Sequence, residues 1–131
     1  MTSNGKAEFG EEGDEPLEGL EITEFRAVAA RLNFMAQDGP DIQFATKEVC
    51  REMANPTKGS WAKAKRLSRY LLEREAVIYA YEWMFEEPVL DLFTDSDWAG
   101  CRRTRKSTTG GVVMRGPHCL KTWSVTQGPI D

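Results

Sequence analysis

Val89–Gly100, VLDLFTDSDWAG, is the stretch whose reading decides the fold. Apolar residues give way to Asp95 and Asp97, and Gly100 closes the run. At the two-residue period of a strand, Asp91, Phe93, Asp95 and Asp97 share one face, while Leu90, Leu92 and Thr94 share the other. The pattern predicts a buried strand that delivers one carboxylate, Asp95, at its carboxyl end. Downstream, Ser107–Arg115 and His118–Val125 read as two more strands joined at Gly116-Pro117. Leu120 and Trp123 are assigned to the core. Upstream, Ala76–Phe85 (AVIYAYEWMF) is aromatic and β-branched and also predicts a strand, ended by the turn Glu86-Glu87-Pro88.

Further upstream the period changes to that of a helix. From a candidate N-cap at Thr23, Phe25, Val28, Ala29, Leu32, Met35 and Ala36 form one apolar stripe. Asp38-Gly39-Pro40 ends it, with Gly39 as a candidate left-handed cap. Pro40-Asp41 suits the start of a second helix, striped by Ile42, Ala45, Val49 and Met53 and broken at Asn55-Pro56-Thr57. A third helix over 57–72 turns Trp61, Ala64, Leu67, Ser68 and Leu71 inward.

Charge is unevenly spread. Residues 1–21 hold seven acids against Lys6, whereas residues 22–131 hold sixteen bases and fourteen acids. The acidic, glycine-rich start has too little apolar surface to offset the entropy of ordering, so residues 1–21 are expected to form a disordered tail. The bases cluster twice. Lys63, Lys65, Arg66 and Arg69 populate the third helix, and Arg102, Arg103, Arg105 and Lys106 follow the aspartate strand. Such a body can approach a polyanion, although a solvated basic face has the same composition.

Three cysteines, Cys50, Cys101 and Cys119, are far apart and form no C-x-x-C pair, which fits reduced thiols in the cytoplasm or nucleus. His118 beside Cys119 lacks a second ligand pair at zinc-finger spacing. The first residues lack a secretory signal, and no apolar run is long enough to span a membrane, so a membrane partner and secretion are not expected.

Three chemistries compete for the aspartates. A calcium loop starting at Asp95 fails, since Ala99 and Lys106 stand at ligand positions five and twelve. Turn chemistry, in which Asp95 and Asp97 accept nearby amides, is the default. Magnesium binding for phosphodiester cleavage is the third, and it needs several converging carboxylates. Asp91 lies four residues down the strand, about 13 Å away at ~3.3 Å per residue. Asp131 is terminal.

The run TDSDWAG-x-x-x-x-RKSTTGG, with the hairpin and KTWS that follow, resembles the start of the ribonuclease H domain of copia-type retrotransposon Pol polyproteins. FRAVAARLNFMAQDGPDIQFAT and MANPTKGSWAKAKRLSRYLL resemble the segment that joins the reverse-transcriptase thumb to that domain. The similarity covers about residues 22–126. It implies a helical thumb/connection-like segment over 22–75 and a truncated ribonuclease H-like domain over 76–131. It also implies that Asp95 is the first catalytic carboxylate and a Mg2+ ligand, with an RNA–DNA hybrid as partner. Ala29-Ala30 and Gly39 stand where the family has glycine and arginine. After the third strand the family continues into an S-S-T-E-A-E-Y helix bearing the second acid, where this sequence reads TQGPID. The polymerase carboxylates would precede residue 22, where no Y-x-D-D-like motif stands.

The expected fold is α+β: three helices followed by a three-stranded antiparallel sheet, an incomplete ribonuclease H-like fold. The expected function is that of a Pol fragment inactive alone, with no stably bound Mg2+. A non-catalytic nucleic-acid-binding module is the alternative, as is an interaction piece that associates with itself or a partner through an open sheet edge.

Overall fold

The computed structural model describes residues 15–85, 89–101 and 104–128. Its elements in chain order are α1 (Leu20–Met35), α2 (Gln43–Cys50), α3 (Lys58–Glu73), β1 (Asp91–Ser96), β2 (Thr108–Arg115) and β3 (His118–Thr126). The sheet is antiparallel throughout, in the order β1-β2-β3. The α+β arrangement of three helices followed by three strands is the expected one.

The core lies among the helices. Phe25, Ala29, Leu32 and Ala36 of the α1 stripe meet Ile42 and Val49 from the second stripe and Ala64 and Leu67 from α3. The Trp61 ring closes edge-on against Phe25 at 6.0 Å. α3 begins at a reciprocal cap: the Thr57 side chain accepts from the Ser60 amide, and the Ser60 hydroxyl accepts from the Thr57 amide. Arg26 ties α1 to the turn before α3 by donating to the carbonyls of Met53 and Ala54.

The expected disorder of residues 1–14 lies outside the described residues, but from Glu15 onward the chain is packed. Pro16 bridges to Thr57, the Leu17 amide donates to the Pro56 carbonyl at 3.0 Å, and Leu17 is only 4% exposed. Gly19, at φ 52, turns the chain so that α1 starts at Leu20, three residues before Thr23. α2 starts at Gln43 after a turn over 40–42. Gly39 is not left-handed. A side chain there would instead crowd Ile42 Cγ1 at 3.0 Å.

The sheet departs further from expectation. The predicted buried strand is an exposed edge, with every residue of β1 open to solvent, because β1 pairs only with β2 and the helices pack on β3 through α2. Ala76–Phe85 is not a strand; it joins no ladder. It runs as an exposed strap held by two hydroxyls: Tyr79 Oη donates to the Asp38 carbonyl and Tyr81 Oη to the Cys119 carbonyl. Neither Leu120 nor Trp123 enters the core. Val113 pairs with Lys121 but Met114 with Cys119, so Leu120 is the extra residue of a β-bulge and is 49% exposed. Trp123 is half-buried and lies over Gly111. The β2–β3 turn is the expected Gly116-Pro117, with Gly116 at φ 53 and the proline ring fixing the next residue, the pattern of a type II′ hairpin.

Candidate nucleic-acid interface

Because α3 buries Ser60, Ala64 and Leu67, helical geometry turns its other side outward. Lys58, Lys65, Arg66 and Arg69 fall on that outer side, spread over about 16 Å at ~1.5 Å per residue. Their side chains differ in commitment. Lys58 Nζ pairs with Glu15 at 2.6 Å, and Lys65 Nζ lies 5.2 Å from the centre of the Trp61 ring. Arg66 and Arg69 are exposed and have no ion-pair or hydrogen-bond partner among the described residues. Lys63, on the flank, is held by Glu52 at 2.7 Å, and the same carboxylate accepts from Ser60. Lys63 is therefore less available than the spacing alone predicts.

The second basic cluster sits on the loop between β1 and β2. Asp97 organises this loop by turn chemistry. Its Oδ1 accepts the Thr108 amide at 2.8 Å and the Gly100 amide at 3.2 Å, and these bonds hold its carboxyl below the usual range. The Ser107 hydroxyl accepts the Ala99 amide, and Arg105 is left-handed at φ 55 with its amide on the Cys101 carbonyl. Arg105 and Lys106 are exposed; Arg102 and Arg103 lie outside the described residues. The loop docks on α2, where Arg51 Nη2 donates to Thr104 Oγ1.

Asp95 is at the carboxyl end of β1, opposite Gly110, and is exposed. Its Oδ1 accepts the amide of the adjacent Ser96. Asp91 is on the same strand facing Met114, and Asp131 lies outside the described residues. Among the described residues no group of three His, Cys, Asp or Glu side chains converges as a metal site. The donor set around Asp95 does not fit a two-ion centre, and no step through magnesium can be built on it.

Thr46, Lys47, Arg51 and Thr126, none of them a predicted site residue, line a groove between α2 and β3. The one available signal was Lys47 and Arg51 four residues apart, hence on one side of α2. Cys50 lines it too. Burial pushes its thiol pKa up, so it stays protonated.

The chain is 33% identical over 109 residues to an uncharacterized mitochondrial protein of Arabidopsis thaliana, a match covering 82% of this chain and 44% of that protein. It is 31% identical over 103 residues to the retrovirus-related Pol polyprotein of an Arabidopsis thaliana transposon, covering 78% of this chain and 7% of the polyprotein. The chain is homologous to a segment of copia-type retrotransposon Pol polyproteins. It spans less than half of the mitochondrial relative and a small fraction of the Pol polyprotein. A secreted RxLR effector protein of Plasmopara viticola is 28% identical over 105 residues, covering 79% of this chain and 72% of the effector. No family model and no solved structure matches. Among the described residues no helix is long and apolar enough to cross a membrane.

Proposed function

We propose that this Pol-related chain corresponds to the piece joining a reverse-transcriptase thumb to the first strands of a ribonuclease H-like domain, and that it holds nucleic-acid backbone without cutting it. Arg66 and Arg69, exposed and without an ion-pair or hydrogen-bond partner among the described residues, on a helix whose opposite side is locked into the core, carry this reading. Unpaired guanidiniums on a rigid support bind phosphate at little ordering cost. Three contacts, from Lys65, Arg66 and Arg69, give a salt slope of about −2.7, so affinity falls about 40-fold between roughly 50 and 200 mM salt. Arg66→Ala with Arg69→Ala reduces the slope to about −0.9 and the loss to about 3.5-fold. An unchanged slope refutes the reading. The cytoplasm or nucleus is the setting it implies.

Among the described residues no group of carboxylates converges on Asp95, and on this reading the chain does not cleave the RNA strand of a hybrid by itself. Magnesium-dependent cleavage lost on Asp95→Asn would overturn this. A second reading rests on the exposure of β1, whose free edge offers amides and carbonyls to another strand. It predicts concentration-dependent self-association, measured by sedimentation.

A further inference from the structure

Along the outer side of α3 the charges do not cancel. The helix carries five bases and one acid, Glu73. Glu15 and Glu52 offset Lys58 and Lys63, which leaves a surplus of two among Lys65, Arg66 and Arg69, all three exposed. The Trp61 ring beside Lys65 attracts the ammonium without neutralising it. Asp41 and Glu48 line a cleft with Arg66, but both have other partners. Asp41 accepts from Tyr70 Oη, whose ring has the Arg74 guanidinium 5.9 Å from its centre, and Glu48 pairs with Lys47 and Arg51.

The same chain supplies acids at the end of this face. Pro16 bridges Thr57 in the antiparallel sense, the Lys58 amide donates to the Glu15 carbonyl at 2.8 Å, and the Leu17 amide donates to the Pro56 carbonyl at 3.0 Å. Followed backward from Leu17 to Glu15, the chain therefore advances in the same sense as Pro56 to Lys58, which is into α3. Glu15 adds its salt bridge to Lys58 at 2.6 Å. Immediately upstream, residues 8–14 read EFGEEGD, four acids and no base. Lys65, Arg66 and Arg69 lie about 10, 12 and 16 Å beyond Lys58 at ~1.5 Å per residue. An extended chain of ~3.3 Å per residue lets Glu12, Glu11 and Glu8 reach about 10, 13 and 23 Å from Glu15. The acids are thus within reach of the three cations, in matching order.

We propose that residues 8–14 dock along the outer side of α3, with their carboxylates on Lys65, Arg66 and Arg69. Each such pair is exposed and weak alone, but the anchor at Glu15 holds the segment at an effective concentration on the order of millimolar. A docked segment competes with any polyanion for the same face, and that consequence alone rests on the nucleic-acid reading above.

The test compares the full chain with a neutral-tail variant, Glu8→Gln, Glu11→Gln, Glu12→Gln and Asp14→Asn together, each with and without Arg66→Ala and Arg69→Ala. With no nucleic acid present, neutralising the tail is expected to shift the backbone amide NMR signals of residues 65–69 at about 50 mM salt and to leave them in place at about 500 mM. In the arginine background most of that shift is expected to vanish. A single-stranded oligodeoxynucleotide is expected to bind the neutral-tail variant roughly tenfold more tightly than the parent at about 50 mM salt. Its salt slope is also steeper, since the value of about −2.7 belongs to the bare face. In the arginine background the gain is expected to disappear. A gain of equal size there is only the general effect of removing four negative charges and overturns the proposal. Signals of residues 65–69 that do not move, or that move equally in the arginine background, overturn it as well. Signals that move as expected while neither chain binds the oligonucleotide uphold the docked segment and refute the nucleic-acid reading instead.

Discussion

Gly110 and Gly111 are neighbours on β2 whose missing side chains would point to opposite faces, and the two positions should respond very differently to alanine. At Gly111 an added methyl would stand 2.5 Å from Trp123 Cη2 and 2.6 Å from Cε2. Carbon atoms prefer about 3.5 Å or more, and Trp123 Cζ2 would lie closer still, so the indole must swing by more than about 1 Å. At Gly110 the nearest atom is the Trp123 carbonyl oxygen at 3.7 Å, an ordinary contact. Overpacking of this kind costs typically about 1–3 kcal/mol, so Gly111→Ala should lose about 2 kcal/mol, or roughly 8 °C in Tm. Gly110→Ala restricts the unfolded chain without a clash and should be neutral or gain up to about 0.5 kcal/mol. Thermal melts followed by circular dichroism, with tryptophan fluorescence reporting the displaced ring, measure both. Equal effects at the two positions would refute the placement of Trp123 over β2.

Other expectations follow from the caps and carboxylates. Thr57→Ala removes the α3 cap and should cost about 1 kcal/mol, read as a drop of roughly 4 °C in Tm. The folded pKa of Asp97 lies below its unfolded value, so its contribution is present above the unfolded pKa and is lost as pH falls through the folded one. Asp97→Ala should therefore lower Tm at neutral pH, with the gap to the parent closing in acid; a pH-independent gap would sink the assignment. Leu120→Lys, placed on the exposed bulge, should change stability by less than about 0.5 kcal/mol in a denaturant titration, whereas a core leucine would lose several times more.

The helical half was legible because its stripes recur every three or four residues and close on one another. Phe25, Ala29, Leu32, Ile42, Val49, Ala64 and Leu67 were all on predicted inward faces, and all are buried. Leu17 was missed because a single leucine in an acidic stretch has no periodicity; the bridge at Thr57 that buries it is a tertiary fact. The sheet was legible in its pairing but not in its burial. Alternation fixes which side chains share a face of β1, yet says nothing of whether a helix covers either face. Leu120 misled because one bulged residue breaks the alternation on which its inward placement rested. Ala76–Phe85 has every side-chain preference of a strand, and preference cannot supply a ladder partner. The basic face of α3 followed from composition, but the Glu52 clamp on Lys63 reaches across eleven residues and left no trace in local spacing.

Among the described residues, the fully buried apolar side chains belong to the helices, their capping residues Ala36 and Ile42, and Leu17, which has a consequence for how the molecule opens. The sheet adds no fully buried side chain of its own and leans on the helices chiefly through α2 and β3. Amide protons of β1 should therefore exchange with deuterium through detachment of the three strands as a unit, while those of α1 and α3 wait for complete unfolding.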